Sequence, residues 1–297
     1  MTSSRRVLWG MALMTLAMQI VPITDAIAKL LTANSGLGVA QVAWARLAVG
    51  TLFLLPLGAS SLPLRSGKRA VWHALRPHWL RGTCWAGASL FFFAAIKDNP
   101  LPNALALIFI APLFVTITAP LLLGEAFSFR CVAASAVGFI GVLIVLRPAA
   151  DDFSPALSLA LVAGLCYGGY IIATRYAQSR SAGGDGHTAF MAMLTAAIIS
   201  TPLAFLDWQA PTAGDWLLII TMGGLSALGH FTIAKSCKYA GASQVAPFHY
   251  TEIIGASTLS WWLFNELPTA NTTVGIMLII AAGIYVSLIQ QQENLSH

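Results

Sequence analysis

Charged residues are scarce in this sequence. They make up 9% of the 297 residues, whereas 57% are hydrophobic. A soluble domain carries about 25% charged residues, so a soluble fold of this length would lack the polar surface that it needs. Apolar runs of about 18 residues or more recur along the chain, and such runs predict membrane-spanning helices. The chain is therefore predicted to be an all-α membrane protein.

The motifs of several catalytic and cofactor-binding classes are also missing. There is no G-x-x-x-x-G-K-[ST] loop for direct drive by ATP, and no H-E-x-x-H or paired Asp motif of an intramembrane enzyme. The cysteines, Cys84, Cys131, Cys166 and Cys237, lie singly in apolar segments without a C-x-x-C spacing. They are interpreted as small packing residues. We expect no enzyme activity, no cofactor and no bound metal.

Ten apolar segments are long enough to be membrane helices. Short connections rich in Gly, Pro, Asn and Ser separate most of them. The first segment resembles a signal peptide behind Arg5 and Arg6, but its long apolar run and the nine segments that follow favour a transmembrane helix. The predicted helices cover residues 7–29, 38–58, 79–97, 103–123, 130–147, 155–175, 188–206, 215–236, 243–264 and 270–290.

The net charge of +5 comes mainly from Lys and Arg in short loops. These charges are interpreted as topology signals, so nucleic-acid binding is rejected. With the N-terminus inside, twelve basic residues fall on the cytoplasmic side and three on the far side, as the positive-inside rule favours. We expect a multi-pass protein of a bacterial inner membrane with both termini cytoplasmic. The twelve are Arg5, Arg6, Arg65, Lys68, Arg69, Arg76, Arg81, Arg130, Arg175, Arg180, Lys235 and Lys238.

The two halves of the chain share a pattern. A proline-bearing apolar segment runs into Glu125 in the first half and into Glu266 in the second, and a further apolar segment follows each. Ten helices divide into five and five near residues 147–155. Because five is odd, the second half enters the membrane in the opposite sense, which places a substrate site near the midplane between the halves. We predict two inverted five-helix repeats, residues 1–150 and 151–297.

These features resemble the EamA type of the drug/metabolite transporter superfamily. The likeness rests on the ten helices, on the segments that end at Glu125 and at Asn265–Pro268, and on Arg46 in the second helix. Residues Pro22–Lys29 and Gln41–Arg46 are similar to a branch that includes riboflavin transporters and exporters of metallophores or amino acids. The resemblance implies a ten-helix basket with a central cavity and alternating access. Substrate and direction stay open.

Charged residues inside apolar helices are candidates for the substrate site, because they are costly in hydrocarbon unless they face a cavity or a partner. Asp25 and Lys29 are four residues apart on one helix face. Asp25 is either a structural ion-pair partner of Lys29 or part of the transport pathway. Arg46 lies deep in its helix and needs an acidic, carbonyl or substrate partner, for which Asp25 is a candidate.

The segment that ends at Pro268 begins with a second polar group. His249 and Glu252 are three residues apart and share a helix face, while Tyr250 points about 100° away. Glu252 is the first candidate for proton coupling or for binding a substrate ammonium group. The alternative is a His–Glu pair that satisfies itself at a helix interface. We include His249, Tyr250 and Glu252 in the predicted substrate site.

Aromatic and histidine side chains complete the predicted site. His230 is either a cavity residue or a packing residue beside Gly223 and Gly224. Phe92 and Tyr167 are predicted to stack on a planar or apolar ligand, although aromatic residues in membrane helices also face lipid or pack. Further aromatic candidates are Trp85, Phe91, Phe93, Phe109 and Tyr170. Glu125 and Glu266 are interpreted as anchors at helix ends, with a gate between the repeats as the alternative.

We therefore predict a secondary transporter of a small metabolite that is amino-acid-like, metallophore-like or flavin-like. It is expected to export its substrate by alternating access. The alternatives are an importer, for example of riboflavin, and a membrane receptor or channel. The expected partners are the small-molecule substrate and the lipid bilayer, with no nucleic acid, and coupling to protons is left open. The chain is expected to act as a monomer or a homodimer.

Overall fold

The computed structural model describes residues 3–58, 78–99, 101–146, 155–180, 184–264 and 270–295. In these ranges every regular element is helical. The α-helices are α1 (Ser3–Ala33), α2 (Val39–Gly58), α3 (Trp79–Asp98), α4 (Leu101–Ile108), α5 (Ile110–Leu123), α6 (Phe129–Leu146), α7 (Ser158–Arg180), α8 (Gly184–Ala204), α9 (Ala213–Tyr239), α10 (Ala242–Val245), α11 (Glu252–Phe264) and α12 (Ala270–Leu295).

The described residues contain eight helical spans that are long and apolar enough to cross a membrane. One of them joins the end of α4 to α5, over residues 104–123. These spans confirm the all-α membrane fold. The two other predicted helices coincide with the composite α10–α11 segment and with α12.

One span in each half is interrupted. Phe109 separates α4 from α5, and a 3₁₀ segment over Ala246–Thr251 separates α10 from α11. A proline lies close to each break: Pro112 follows the first by three residues, and Pro247 lies in the second. Because proline has no N–H, it leaves a carbonyl one turn earlier without its helical partner. A six-residue 3₁₀ segment is longer than most and is typical of a hinge or functional position.

Helix packing between the halves is reciprocal. In the described structure α1 packs along α9 and α3 packs along α7, while α2 packs on α8 and α6 packs on α12. The α6–α12 pair approaches most closely at Gly141 and Gly275, where a Cβ added to either glycine would lie within 2.8 Å of the other's carbonyl oxygen. This arrangement is the one expected of two repeats related by a twofold axis. The boundary at residues 147–154 lies outside the described residues.

Polar contacts distinguish the two ends of the bundle. At one end, which we call the Glu125 end, α5, α7 and α9 finish and α8 begins, as the Glu125–Arg175 and Asp185–Lys238 ion pairs show. At the opposite end Ser35 donates a hydrogen bond to Asp215 at 2.5 Å. The Glu125 end is the one expected to be cytoplasmic. Glu266 and the basic loop over residues 59–77 lie outside the described residues.

Candidate substrate cavity

A central cavity lies where the two helix interruptions face α1, α2, α3, α7 and α9. Its empty space is about 720 Å³, including the part at its open mouth. Seven of the eight predicted site residues line it: Asp25, Arg46, Phe92, Tyr167, His230, His249 and Glu252. Side chains from both halves of the chain therefore meet in one place.

Arg46 and Asp25 form a buried pair in the cavity wall. Arg46 Nη1 lies 3.6 Å from Asp25 Oδ1, and the exposed fractions of the two side chains are 6% and 8%. Arg46 Nη2 donates a hydrogen bond of 2.6 Å to Ser89 Oγ. The Arg46 guanidinium also lies 4.8 Å from the centroid of Trp85 and 4.6 Å from that of Phe93. The aromatic faces stabilise the cation from both rings.

The alternative ion pair between Asp25 and Lys29 does not form in the described structure. Asp25 pairs with Arg46 instead, while Lys29 is only half-buried at the same turn of α1. The reason is physical: Arg46 is too deep to reach water, so it needs a nearby anion more than Lys29 does. Asp25 is thus the acidic partner that a buried arginine requires.

His249 and Glu252 share the cavity wall without bonding to each other. His249 Nδ1 lies 3.1 Å from the carbonyl oxygen of Ala246, which only accepts, so Nδ1 carries the proton. Within the described residues, Nε2 of His249 has no partner, and no hydrogen bond or ion pair reaches the side chain of Glu252. The predicted His–Glu pair is therefore absent, because the 3₁₀ backbone offers the ring a carbonyl three residues back. The carboxyl group of Glu252 faces the cavity.

An aromatic layer borders the cavity on the side of α3 and α7. The rings of Trp85 and His230 are 4.0 Å apart, and those of Trp85 and Tyr170 are 5.1 Å apart. The Tyr170 hydroxyl lies 2.8 Å from His230 Nδ1. Tyr167 stacks on Tyr170 at 6.1 Å. We call Trp85, Tyr170 and His230 the aromatic layer. Trp85 and His230 face the cavity, while Tyr170 lies behind them.

Tyr250 is the predicted site residue that the structure places elsewhere. Its side chain is fully buried, its ring packs 6.0 Å from Phe109, and it fills the space beside Gly138. Its hydroxyl has no hydrogen-bond partner in the described structure. Tyr250 therefore packs α6 against the 3₁₀ segment. The face of Tyr250 differs from that of His249 and Glu252, as the residue spacing indicates, and in the 3₁₀ segment it is turned away from the cavity.

Other cavity residues lay outside the predicted set. Trp85 and Phe109 were aromatic candidates, whereas Thr24 and Ser226 had no distinguishing signal because hydroxyl residues are common inside membrane helices. Thr24 illustrates the difficulty, since its hydroxyl bonds back to the carbonyl of Val21 at 2.8 Å. No group of three or more His, Cys, Asp or Glu residues placed to hold a metal ion occurs in the part of the chain that the structure describes.

A second polar cluster, away from the cavity, connects the first half of the chain to the second by hydrogen bonds. Glu125, just after α5, accepts hydrogen bonds from Arg175 Nε at 3.0 Å and from the backbone N–H groups of Ala242 at 3.0 Å and Ser243 at 3.3 Å. The Ser243 hydroxyl donates to it at 3.0 Å. Arg175 also donates to the carbonyl of Cys237 at 2.8 Å. We call these residues the Glu125 cluster. Its carboxylate meets the backbone N–H groups that begin α10.

The sequence matches one family over nearly its whole length, in two consecutive copies. Residues 8–147 and 154–288 each match the EamA-like transporter family. The chain belongs to the EamA-like transporter family. This membership confirms the resemblance noted from the helices and from Arg46. It also confirms that the chain is a membrane transporter and not an enzyme.

Curated relatives of this EamA-like transporter are named as transporters of small molecules. It is 29% identical to a riboflavin transporter of Vibrio cholerae, over 89% of this chain and 88% of the relative. It is 26% identical to an S-adenosylmethionine uptake transporter of Rickettsia prowazekii, over 83% and 82%. It is 27% identical to a pseudopaline exporter of Pseudomonas aeruginosa, over 94% and 95%. The chain is accordingly a transporter of small metabolites.

A solved crystal structure has the same fold. The two structures superpose with a TM-score of 0.74, covering 97% of this chain and 98% of the other at 17% sequence identity. At this identity the likeness concerns the fold alone. It supports the arrangement of helices that surrounds the cavity.

Proposed function

We propose that the central cavity is the substrate site of a secondary transporter that works by alternating access. We further propose that its substrate is a small metabolite with a planar ring and a cationic group. The observation that carries the proposal is the meeting of Asp25, Arg46 and Glu252, from both halves of the chain, around one cavity. Polar groups that converge in a largely apolar cavity are typical of a ligand site.

The charge balance of the cavity favours a cation. Arg46 is held by Asp25 and Ser89, so the carboxyl group of Glu252 has no basic partner in the described structure. A substrate ammonium or sulfonium group beside Glu252 supplies that partner. The same carboxylate is our candidate for proton coupling, because it can carry a proton when no substrate is bound.

The aromatic lining favours a planar ring. Trp85, Phe92, Phe109 and Tyr167 all face the cavity, and aromatic faces stack on planar ligands. Among the molecules named for the relatives, S-adenosylmethionine combines a purine ring with a sulfonium cation. Riboflavin has a planar ring but no cationic group, so comparing the two ligands tests whether the cation is needed for binding.

The two interrupted spans supply the hinges that alternating access needs. Phe109 and the 3₁₀ segment over Ala246–Thr251 border the cavity, and discontinuous helices at a central site are typical of transporters with inverted repeats. We propose export as the direction, an inner-membrane location and cytoplasmic termini. Reporter fusions at each terminus test the orientation, and substrate movement in right-side-out and inside-out vesicles tests the direction.

Ligand-dependent thermal stability tests the site directly. A ligand that binds the folded state raises the unfolding midpoint. We expect S-adenosylmethionine or another cationic ring compound to raise it, and riboflavin, amino acids, metallophores, nucleobases and polyamines to raise it less. Glu252→Gln is expected to abolish the shift. Asp207→Asn, an exposed carboxylate in a loop, is the matched control. A shift that survives in both Glu252→Gln and Asp25→Asn would overturn the proposed site.

A further inference from the structure

Arg81 is a buried arginine that the cavity does not use. It lies in the first turn of α3 with 2% of its surface exposed. Its Nη2 donates to the carbonyl of Thr188 at 2.5 Å and lies 3.1 Å from His78 Nδ1. Its Nε and Nη1 have no hydrogen-bond partner in the described structure. Buried charges are normally paired, because an unpaired one is costly.

The surroundings of Arg81 are poor in negative charge. His78 Nδ1 must accept from the guanidinium, which only donates, so His78 is neutral there. Burial and the charge of Arg81 lower the pKa of His78 to about 3, which keeps it neutral. The ring of His187 lies 5.5 Å from that of His78. Asp185, in the first turn of α8, pairs with Lys238.

Two helix N-termini add partial positive charge near Arg81. Arg81 belongs to the first turn of α3, and its partner Thr188 is the fifth residue of α8, which begins at Gly184. The N-terminus of a helix carries a partial positive charge and favours an anion. A cation placed at such a position is unfavourable by itself. A bound anion would offset this cost.

Arg81 lies one turn from a cavity residue on the same face of α3. Arg81, Trp85 and Phe92 follow one another at intervals of four and seven residues, which keeps them on the same side of α3. Trp85 and Phe92 face the cavity. Trp85, which belongs to the aromatic layer, lies between Arg81 and Phe92 on this face, and the layer also holds the hydrogen bond between Tyr170 and His230. The layer therefore lies between the substrate site and the Arg81 end of the helix.

We propose that Arg81 and His78 form a second binding site, for an oxyanion, which is closed in this structure and becomes accessible when the aromatic layer opens. The ligand is a carboxylate or phosphate group. It belongs either to the transported metabolite, in which case the site extends the proposed function, or to an anionic lipid headgroup. The unpartnered donors of Arg81 are the groups that would hold it. Oxyanions pair well with guanidinium.

Inorganic phosphate is the first probe, titrated by calorimetry into the purified full-length protein. Tyr170→Phe removes the hydrogen bond that closes the layer, so we expect phosphate to bind this variant about tenfold more tightly than the wild type, a change of about 1.4 kcal/mol. Tyr170→Phe/Arg81→Gln is expected to lose the binding, and Tyr170→Phe/Arg81→Lys to retain part of it. Tyr170→Phe combined with Arg130→Gln, at an exposed arginine, is the matched control.

The source of the oxyanion is tested with lipid vesicles. The protein is reconstituted with phosphatidylcholine alone or mixed with phosphatidylglycerol, and retained lipid is measured by native mass spectrometry. Phosphatidylglycerol kept by the wild type and lost from Arg81→Gln assigns the site to a headgroup. Phosphate binding without lipid retention assigns it to a soluble anion. Because neither readout uses the central cavity, both stand if the proposed substrate fails.

One result would overturn the second site. If the Arg81→Gln variants bind phosphate and retain phosphatidylglycerol as their Arg81 parents do, Arg81 is not an anion-binding residue. Size-exclusion profiles and thermal midpoints establish that the variants are folded. Should Arg81→Gln fail to fold, the Arg81→Lys variant decides: unchanged affinity with a shorter, differently shaped cation contradicts binding through Nε and Nη1.

Discussion

Two carboxylate–arginine pairs join different parts of this transporter, and they are built differently. In the Glu125 cluster the carboxylate accepts from Arg175 and from the backbone of Ala242 and Ser243, all within 3.3 Å. In the cavity Asp25 and Arg46 are 3.6 Å apart, and no described residue donates a hydrogen bond to the side chain of the neighbouring Glu252. The Glu125 carboxylate is fully hydrogen-bonded. Beside the cavity pair, the side chain of Glu252 can still form hydrogen bonds with a ligand.

This difference distinguishes a cluster that stabilises the fold from a site that binds a ligand. Polar groups that are fully hydrogen-bonded specify one arrangement of the helices. Polar groups that are only partly satisfied beside a cavity have bonds left to make with a ligand. The interpretation of Glu125 as an anchor agrees with its cluster, which connects the end of α5 to α7 and α10. Its possible role as a gate stays a prediction.

Breaking the cavity pair should have the largest effect. Arg46→Gln leaves Asp25 buried without its cation, and we expect the free energy of unfolding to fall by about 3 kcal/mol. The measurement is an SDS titration of the purified protein in detergent micelles. Adding Asp25→Asn removes the unpaired charge and should recover much of the loss. A double variant as unstable as Arg46→Gln would show that Arg46 stabilises the fold through its aromatic contacts instead.

Breaking the Glu125 cluster should have an intermediate effect on stability and none on ligand affinity. Glu125→Gln keeps an acceptor but loses the charge, so we expect the free energy of unfolding to fall by about 1–2 kcal/mol. The unfolding midpoint with and without substrate separates the two effects. Reduced substrate affinity in a folded Glu125→Gln protein would contradict a purely structural tie.

A charge swap sharpens the same comparison. Glu125→Arg combined with Arg175→Glu restores opposite charges but leaves the N–H groups of Ala242 and Ser243 without the acceptor that Glu125 supplies. We therefore expect the swapped protein to remain about 1 kcal/mol or more less stable than the wild type in SDS titration. Full recovery would mean that the ion pair alone matters and that capping of α10 does not.

A tyrosine pair should show the smallest effects. Tyr250→Phe removes a buried hydroxyl that has no partner in the described structure, so its free energy of unfolding should stay within about 0.5 kcal/mol of wild type or rise. Substrate binding should not change, because Tyr250 does not line the cavity. Tyr167→Phe, in the cavity wall, is the counterpart and should weaken binding. Weaker substrate binding by the Tyr250→Phe variant would show that Tyr250 belongs to the substrate site after all.

Much of the site could be predicted from the sequence because ionisable residues stand out against hydrocarbon. Asp25, Arg46, His249 and Glu252 attract attention for the energetic cost of placing them there. Pro112 and Pro247 likewise mark helix interruptions, since a missing N–H is a local property. Trp85 was harder to single out, because an aromatic residue in a membrane helix packs, faces lipid or lines a cavity with the same composition.

Apart from Asp25 as a candidate partner of Arg46, the choice of partners could not be predicted. Arg175 and Glu125 are 50 residues apart, and Gln19 donates to the carbonyl of Thr251 across 232 residues. The orientation of Tyr250 depends on a 3₁₀ segment whose turn differs from that of an α-helix. Such contacts depend on how whole helices rotate and approach, which no local pattern records.

By itself the sequence determined that this protein lies in a membrane as an array of helices, and that a few buried charges need partners. A long apolar segment favours the membrane, and a proline removes one helical hydrogen bond. Both effects depend only on the local sequence. The tertiary structure alone decided which charges meet. It paired Asp25 with Arg46 and not with Lys29, placed Glu252 beside an open cavity and left Arg81 without an anion among the described residues. Such pairing depends on distances between helices that are remote in the chain.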